Sequence, residues 1–195
     1  LNVLKNTNKR LLDFGCGNGD FLKACKKKGM KKLYGTDPKY LKKFEKKGIT
    51  YLNSIDALKT EPKFDCITLW GVLEHLNDPI RFSYRISRLL AKNGFLILEV
   101  PNADSLLMNY VNFTEKNLIR FTEPGRHLFF FSKLFFKIYS KKLNLKLIDL
   151  ETNGLDLQTV IGPTGKSLTK KILLLQNTID ELKISDHFRV VFKKL

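Results

Sequence analysis

The chain has 195 residues, of which 43% are hydrophobic, and its formal net charge at pH 7 is +16. This length suits one domain with a sizeable core, and no apolar run approaches the ~18 residues that a membrane-spanning helix needs. Three cysteines without metal-type spacing and no recognisable signal peptide favour reduced thiols in a cytoplasmic protein.

Strand-like and helix-like segments alternate along the chain, which predicts an α/β fold with a parallel sheet and helices on both faces. We expect a single domain over residues 1–195, with no repeat and no linker. The predicted strands span residues 10–14, 32–37, 49–52, 64–70, 95–100, 145–152 and 187–193. The predicted helices span residues 20–28, 38–48, 78–91, 104–118, 132–142 and 167–182.

The most informative segment is the passage from the first strand into the first helix, Leu11–Asp20 (LLDFGCGNGD). Its three glycines, Gly15, Gly17 and Gly19, are spaced two apart. Glycines at such a corner allow a tight turn and leave no side chain between the backbone and a ligand. The following helix adds unpaired N–H donors and the positive end of its dipole. This segment therefore predicts a binding site for a nucleoside-type cofactor.

The spacing around this corner narrows the choice of cofactor. A dinucleotide fingerprint has its third glycine one residue later, where this chain has Asp20, and that carboxylate would disfavour a pyrophosphate. The second strand ends at Asp37, 22 residues after Gly15. Folds of this kind bind ribose hydroxyls with an acid roughly 20 residues after the glycines. Together these residues resemble motif I and the following acid of class I S-adenosylmethionine-dependent methyltransferases.

Three later segments extend the resemblance: VLEHLNDP at residues 72–79, Pro101-Asn102 after the fifth strand, and HLFFFS at residues 127–132. In this order they resemble the ubiquinone-biosynthesis-like branch of that family (types 11 and 23), over most of residues 10–150. The resemblance implies a Rossmann-like, doubly wound sheet of seven strands in the order 3-2-1-4-5-7-6, with the last strand antiparallel. It also implies S-adenosylmethionine as cofactor and S-adenosylhomocysteine as product.

The resemblance further implies which residues hold the cofactor. Residues of the glycine corner line its methionine end, Asp37 accepts hydrogen bonds from both ribose hydroxyls, and Pro38 lies nearby. Adenine falls near Ser54 and Ile55, although the family usually has an acid where Ser54 stands. The predicted cofactor-binding residues are Asp13, Gly15, Cys16, Gly17, Asp37, Pro38, Ser54, Ile55, Leu69, Trp70 and Leu73. Among these, the carbonyl of Leu69 holds the amino group, and Trp70 and Leu73 shape the pocket near the sulfonium.

Two histidines are candidate catalytic residues. Methyl transfer is an in-line displacement that depends mainly on alignment, and a general base is needed only when the acceptor must lose a proton. His127 and His75 are the candidates, because imidazole titrates near neutral pH. Each also has a structural interpretation: His75 ties down a loop, and His127 packs under the run of phenylalanines at 129–131.

We expect no metal ion. Some relatives bind a divalent cation through an E-x-x-E-H pattern and a later residue, and Gly71 stands where this pattern has its first glutamate. The loss of one oxygen ligand weakens a Mg²⁺ site. Metal-independent chemistry argues against catechol-type and terminal-ribose acceptors.

The acceptor is the least determined part of the sequence interpretation. We expect O-methylation of a small molecule, a sugar or glycan, or a lipid, because residues 175–189 resemble the ending of bacterial methyltransferases linked to surface polysaccharides. An RNA methyltransferase and a non-catalytic cofactor-binding scaffold are the alternatives. The charge of +16 would suit a nucleic acid, but lysines on the polar faces of helices favour a generally lysine-rich composition. Relatives usually have lid helices before the first strand, so one interpretation is that this sequence lacks them.

Overall fold

The computed structural model describes residues 7–39, 48–52, 63–109, 126–154 and 166–195. Seven strands form one sheet in the order β3-β2-β1-β4-β5-β7-β6, as the resemblance implied. The strands are β1 (Arg10–Phe14), β2 (Lys32–Thr36), β3 (Thr50–Tyr51), β4 (Phe64–Trp70), β5 (Leu90–Pro101), β6 (Leu145–Asn153) and β7 (His187–Lys194). β7 pairs antiparallel with both β5 and β6, whereas β1 to β5 pair in parallel.

Four helices of the described ranges accompany the sheet: α1 (Asp20–Lys27), α2 (Pro79–Leu89), α3 (Lys133–Lys142) and α4 (Lys166–Glu181). Two of them begin next to the first residues of the predicted helices over 78–91 and 132–142. Asp78 caps α2 by accepting a hydrogen bond from the backbone N–H of Arg81, and Ser132 caps α3 by accepting one from Phe135. The predicted helix over 38–48 and most of that over 104–118 lie outside the described residues.

Strand β5 is longer than predicted. It begins at Leu90 rather than at residue 95, and its pairing with β4 is irregular between Phe64 and Cys66. Asn93, which the sequence suggests as a turn residue, has a φ of 61° inside this irregular stretch. Asparagine tolerates that left-handed conformation. The residues around Asn93 therefore form a bulge within β5 instead of a turn before it.

The core occupies both faces of the sheet. On one face, alternate residues of β4, β5 and β7 meet α2 and α3, with Phe136 and Tyr139 of α3 fully buried. On the other face, Leu22 and Cys25 of α1 pack on β1 and β2.

Because β1 to β5 are parallel, they all end at one edge of the sheet, which we call the carboxyl edge, and the glycine corner lies there. Ligand sites of open α/β sheets lie at this edge.

Candidate functional site

The glycine corner at the end of β1 leaves its backbone open to a ligand. Gly15, Gly17 and Gly19 all have positive φ values, of 74°, 49° and 70°. A Cβ atom added to Gly15 would lie 2.6 Å from Cγ2 of Val72, whereas one added to Gly17 would have no atom of the described residues within 4 Å. The corner is fixed to β2, because the N–H groups of Gly15 and Cys16 both donate to the carbonyl of Thr36. Hydrogen bonds to β2 therefore hold the turn in place, and the described residues leave the space beside Gly17 free.

Asp37, directly after β2, lies against this corner. Its Oδ2 accepts a hydrogen bond from the N–H of Gly17 at 3.0 Å, and its Oδ1 accepts one from the N–H of Lys39 at 2.8 Å. Each carboxylate oxygen can accept more than one hydrogen bond. The acid therefore retains capacity for hydroxyl donors while it holds the turn in place.

Asp13 is the buried acid of the corner. Its side chain is 2% exposed, and Oδ1 accepts a hydrogen bond from the hydroxyl of Thr68 at 2.7 Å. Burial raises the pKa of Asp13 to about 7, against the lowering effect of the Thr68 hydrogen bond. The carboxyl group is therefore partly protonated near neutral pH, and a cationic ligand group beside it would favour its ionised form.

A cavity of about 620 Å³, the corner cavity, opens at this position. Four of the predicted cofactor residues line it, namely Asp13, Gly15, Cys16 and Trp70. The Nε1 atom of Trp70 is buried and has no hydrogen-bond partner within the described ranges. A buried donor of this kind is costly unless it is satisfied, so it is consistent with a ligand acceptor in the cavity. Corner geometry and the unsatisfied donor together fit a nucleoside-type cofactor.

The other predicted cofactor residues are placed differently. Gly17 and Asp37 contact each other beside the corner cavity, and Pro38 is exposed next to them. Leu69 and Leu73 are fully buried in the core. The remaining two, Ser54 and Ile55, lie outside the described residues. Their roles stay predictions.

A second cavity, of about 580 Å³, lies further along the carboxyl edge, and His75, His127 and His187 all line it. We call it the histidine cavity. The Nδ1 atom of His75 lies 2.6 Å from the carbonyl oxygen of Arg126, so this histidine fastens the segment that carries His127. The rings of His75 and His127 lie with their centroids 4.9 Å apart. The structure thus brings the two predicted catalytic histidines together.

Glu74 adds a carboxylate to this pair. One ligand atom from each of Glu74, His75 and His127 lies within 4.8 Å of the others, so the three could hold a metal ion. Glu74 is 2% exposed, and burial raises the pKa of its carboxyl group. A raised pKa weakens cation binding, because the carboxyl group must lose its proton to act as a ligand. The expected absence of a metal stays a prediction.

Glu99 on β5 is not among the site residues predicted from the sequence, yet it lines both cavities. Its carbonyl accepts a hydrogen bond from Gly71 at 3.0 Å, and its carboxylate pairs with Nε of Arg189 at 2.5 Å. The two cavities therefore meet at this residue. The sequence does contain a signal for this residue: Glu99 is an acid near the end of a strand, and the residues on both sides of it are apolar.

The Asp186–His187 pair at the start of β7 was also missed. Nδ1 of His187 lies 2.9 Å from Oδ1 of Asp186, and both residues line the histidine cavity. The sequence contains the signal, an acid directly before a histidine at the start of a predicted strand. Only the pairing of β7 with β5 places it at the same edge as His75 and His127.

The predicted phenylalanine cluster divides between core and surface. Phe131 and Phe136 are buried, at 2% and 0% exposure, and belong to the core. Phe129 is 37% exposed, and Phe130 lines the histidine cavity. One side of that cavity therefore has an apolar aromatic surface.

Among the described residues, a group of exposed basic side chains lies at the opposite edge of the sheet, where the parallel strands begin and the helices α1 and α2 end. We call this the basic edge. Its exposed members are Lys26, Lys27, Lys28, Lys31, Lys32, Lys63, Arg88, Lys92, Lys141, Lys142 and Lys146. Asp65 at the start of β4 is an acid beside them. The histidine cavity, by contrast, is lined by three carboxylates (Glu74, Glu99 and Asp186) and Arg126 besides its histidines.

Comparison with known proteins identifies the family. The family model "Methyltransferase domain" matches residues 2–150. The chain belongs to this family. With the observed strand order, it is a class I S-adenosylmethionine-dependent methyltransferase by family and fold, and its cofactor is S-adenosylmethionine.

Three curated relatives illustrate the sequence similarity. The tRNA U34 carboxymethyltransferase of Campylobacter hominis is 35% identical over 49% of this chain and 37% of its own length. That of Histophilus somni is 26% identical over 94% of this chain and 58% of its own length. The ubiquinone biosynthesis O-methyltransferase of Pelagibacter ubique is 34% identical over 53% of this chain and 46% of its own length. The chain therefore spans only about a third to three fifths of the relatives it matches.

Solved structures support the fold. A SAM-dependent methyltransferase from Archaeoglobus fulgidus superposes with a TM-score of 0.64 and 24% identity, over 96% of this chain and 86% of that chain. A methyltransferase in complex with the Trm112 activator from Haloferax volcanii has a TM-score of 0.66 and 14% identity, over 98% and 86%. Within the described part of the chain, no helix has both the length and the apolar composition to cross a membrane.

Proposed function

We propose that the protein transfers the methyl group of S-adenosylmethionine from the corner cavity to a nucleophile bound in the histidine cavity. The observation that carries this proposal is the meeting of the two cavities at Glu99. A donor site and an acceptor site that share one wall allow two reactants to lie within reach of each other. Alignment of the reacting atoms is the largest requirement of such a displacement.

In this proposal the glycine corner holds the cofactor. Asp37 accepts hydrogen bonds from the ribose hydroxyls, while its contact with Gly17 keeps the corner in its open shape. Asp13 and Trp70 lie at the methionine end, where the buried Nε1 of Trp70 gains an acceptor. S-adenosylmethionine, when bound, supplies a methyl group activated by its sulfonium. The chain itself orients the acceptor and, for a hydroxyl or ammonium group, takes up its proton.

An RNA acceptor has the stronger support from the comparisons, because two of the three relatives described above are tRNA enzymes. This favours the alternative from the sequence over the small-molecule acceptor that we expected. A net charge of +16 is also compatible with a polyanionic partner. In this version one nucleotide enters the histidine cavity from a chain that lies across its mouth.

A small hydroxyl compound, sugar or lipid is the second candidate, and the distribution of charge favours it. The exposed lysines of the basic edge lie across the sheet from the histidine cavity, whose own lining is rich in carboxylates. Such a lining does not attract a phosphate backbone. The volume of about 580 Å³ is within the range of small-molecule sites, and Phe130 with exposed Phe129 offers an apolar surface.

Two measurements test the proposal. Calorimetry first measures whether the protein binds S-adenosylmethionine, which a protein without a working cofactor site would not do. S-adenosylmethionine with a tritiated methyl group is then incubated with the protein and an extract of its source cells, and the label is followed into RNA, lipid, glycan and small-molecule fractions. RNase-sensitive label supports the RNA acceptor, and RNase-resistant label in another fraction supports the second candidate. Cofactor binding without any transfer of label would support the scaffold alternative instead.

A further inference from the structure

The histidine at the start of β7, His187, lines the histidine cavity and has a carboxylate as the partner of its Nδ1. Its Nδ1 lies 2.9 Å from Oδ1 of Asp186, whose side chain is only 12% exposed. A carboxylate accepts the Nδ1–H hydrogen, which leaves Nε2 as the nitrogen with a free lone pair. The same division of roles orients the histidine of a Ser-His-Asp triad.

The backbone holds this pair from two sides. His187 pairs in register with Pro101 of β5 and with Asn153 of β6. The carbonyl of Asp186 accepts a hydrogen bond from the N–H of Asn102 at 2.7 Å. The side chain of Asn102, which is 1% exposed, donates to the carbonyl of Ser185 at 2.7 Å. Asp186 and His187 are therefore fixed to the end of β5, where Glu99 separates the two cavities.

The charges around His187 raise its pKa, which makes the neutral imidazole a stronger base. The hydrogen bond to Asp186 raises the pKa of His187 most, Glu99 and Glu74 raise it further, and burial opposes them. His75 also has a carboxylate nearby, but its Nε2 lies 4.0 Å from Oε1 of Glu74, while its Nδ1 contacts a backbone carbonyl. The carboxylate of Asp186 lies within hydrogen-bond distance of Nδ1 of His187, and such a charge-assisted hydrogen bond stabilises the imidazolium that forms when Nε2 takes up a proton.

We propose that His187 is the general base that takes the proton of a hydroxyl acceptor in this methyltransferase, and that Asp186 is its positioning residue. This inference rests on the proposed function. As the acceptor oxygen bonds to the methyl carbon, the carbon–sulfur bond breaks and leaves its electron pair on sulfur. The hydroxyl proton goes to Nε2 of His187, and solvent later removes it. Both an RNA hydroxyl and the hydroxyl of a sugar or lipid meet this requirement.

The first test needs no acceptor. NMR titration of the protein labelled at histidine follows all three imidazoles, and H187Q assigns the signal of His187. We expect this signal to titrate above the ordinary imidazole pKa of roughly 6.5, and D186N to lower its midpoint. D149N, which changes an exposed carboxylate in the middle of β6, is the matched control and leaves the midpoint unchanged. A midpoint unaffected by D186N would overturn the role of Asp186.

The second test measures transfer of tritiated methyl groups to the fraction of extract that wild-type protein labels. We expect H187Q to lower the rate by about 10²-fold or more while the Kd for S-adenosylmethionine and the melting temperature stay near those of wild type. D186N lowers the plateau rate and moves the acidic limb of the pH–rate profile to lower pH.

The outcomes separate the two proposals. If wild-type protein binds S-adenosylmethionine but labels no fraction, the proposed function fails, and the role of His187 fails with it. If wild-type protein transfers label and H187Q transfers it within threefold of the same rate, only the inference about His187 fails. An H75Q or H127Q variant that loses transfer while H187Q retains it would assign the base to that histidine instead.

Discussion

Asp37 and Gly17 are joined by a hydrogen bond of 3.0 Å from the glycine N–H to the carboxylate Oδ2. This bond connects the acid after β2 with the glycine corner after β1, two positions that are 20 residues apart in the sequence. Because parallel strands end at one edge, two separate sequence signals become one structural unit. The acid proposed to bind the ribose and the glycine corner therefore depend on each other.

The first prediction concerns Asp37. Asp37→Ala removes both the proposed ribose acceptor and the support of the Gly17 N–H, and we expect the Kd for S-adenosylmethionine to rise at least tenfold, since a hydrogen bond to a charged group contributes about 1.5–3 kcal/mol. Calorimetry measures this change. Asp149→Ala on β6 is the control and should bind as wild type does. Unchanged affinity in Asp37→Ala would show that the cofactor site is assigned wrongly.

The second prediction compares two glycines of the corner. An added Cβ at Gly17 meets open space, so Gly17→Ala should cost only the left-handed backbone strain of about 1–2 kcal/mol, yet the methyl group would occupy space needed by the cofactor. Gly15→Ala would in addition place its Cβ 2.6 Å from Cγ2 of Val72. Thermal melts with and without S-adenosylmethionine should show a small loss of stability and no ligand shift for Gly17→Ala. Gly15→Ala should unfold at a clearly lower temperature.

The third prediction follows from the buried Asp13. Its pKa of about 7 lies above the unfolded value of about 3.8, so the folded state binds the proton more tightly and stability falls as pH rises from about 4 to 7. Asn at this position removes the ionisation. We therefore expect Asp13→Asn to gain stability relative to wild type as pH rises from 5 to 8, by up to a few kcal/mol. Denaturant unfolding at pH 5 and pH 8 measures the free energy of unfolding of both proteins. A difference between variant and wild type that is the same at both pH values would contradict the raised pKa of Asp13.

The fourth prediction concerns metal ions. We expect methyl transfer to be unaffected by EDTA, although Glu74, His75 and His127 lie close enough to hold a cation. Gly71 stands where related proteins have a carboxylate ligand, and burial raises the pKa of the Glu74 carboxyl group, which opposes its binding of a cation. Activity that is lost in EDTA and recovered with Mg²⁺ or Mn²⁺ would contradict this. Glu74→Gln separates the cases, because it should abolish the recovery only if the metal binds here.

The fifth prediction concerns the basic edge. Replacing Lys26, Lys27 and Lys28, which are exposed at the end of α1, with glutamates should weaken nonspecific RNA binding. The slope of log K against log salt concentration should become less steep by about two to three. The rate of methyl transfer should stay the same, because this edge lies opposite the two cavities. Lys137→Glu on α3 is the single-charge control. Filter binding at several salt concentrations measures the slope, and a parallel loss of methyl transfer would instead place an RNA acceptor on this edge.

Much of the fold could be predicted because its signals are local. The glycine corner, the caps at Asp78 and Ser132, and the strand segments each depend on residues within one turn or one strand. The early start of β5 could not be predicted, because Asn93 reads as a turn by itself and becomes a bulge only when β4 pairs on both sides of it.

The sequence by itself determined the cofactor class and the family, since contiguous motifs carry them. Tertiary structure alone decided which groups share a cavity. The insertion of β7 between β5 and β6 places His187 at the carboxyl edge, about 60 positions along the chain from His127 and over 110 from His75. Hydrogen bonds between distant strands set this register, and no local pattern encodes their outcome. For the same reason, the net charge of +16 did not reveal that a group of exposed basic residues within the described ranges lies at the edge opposite the cavities.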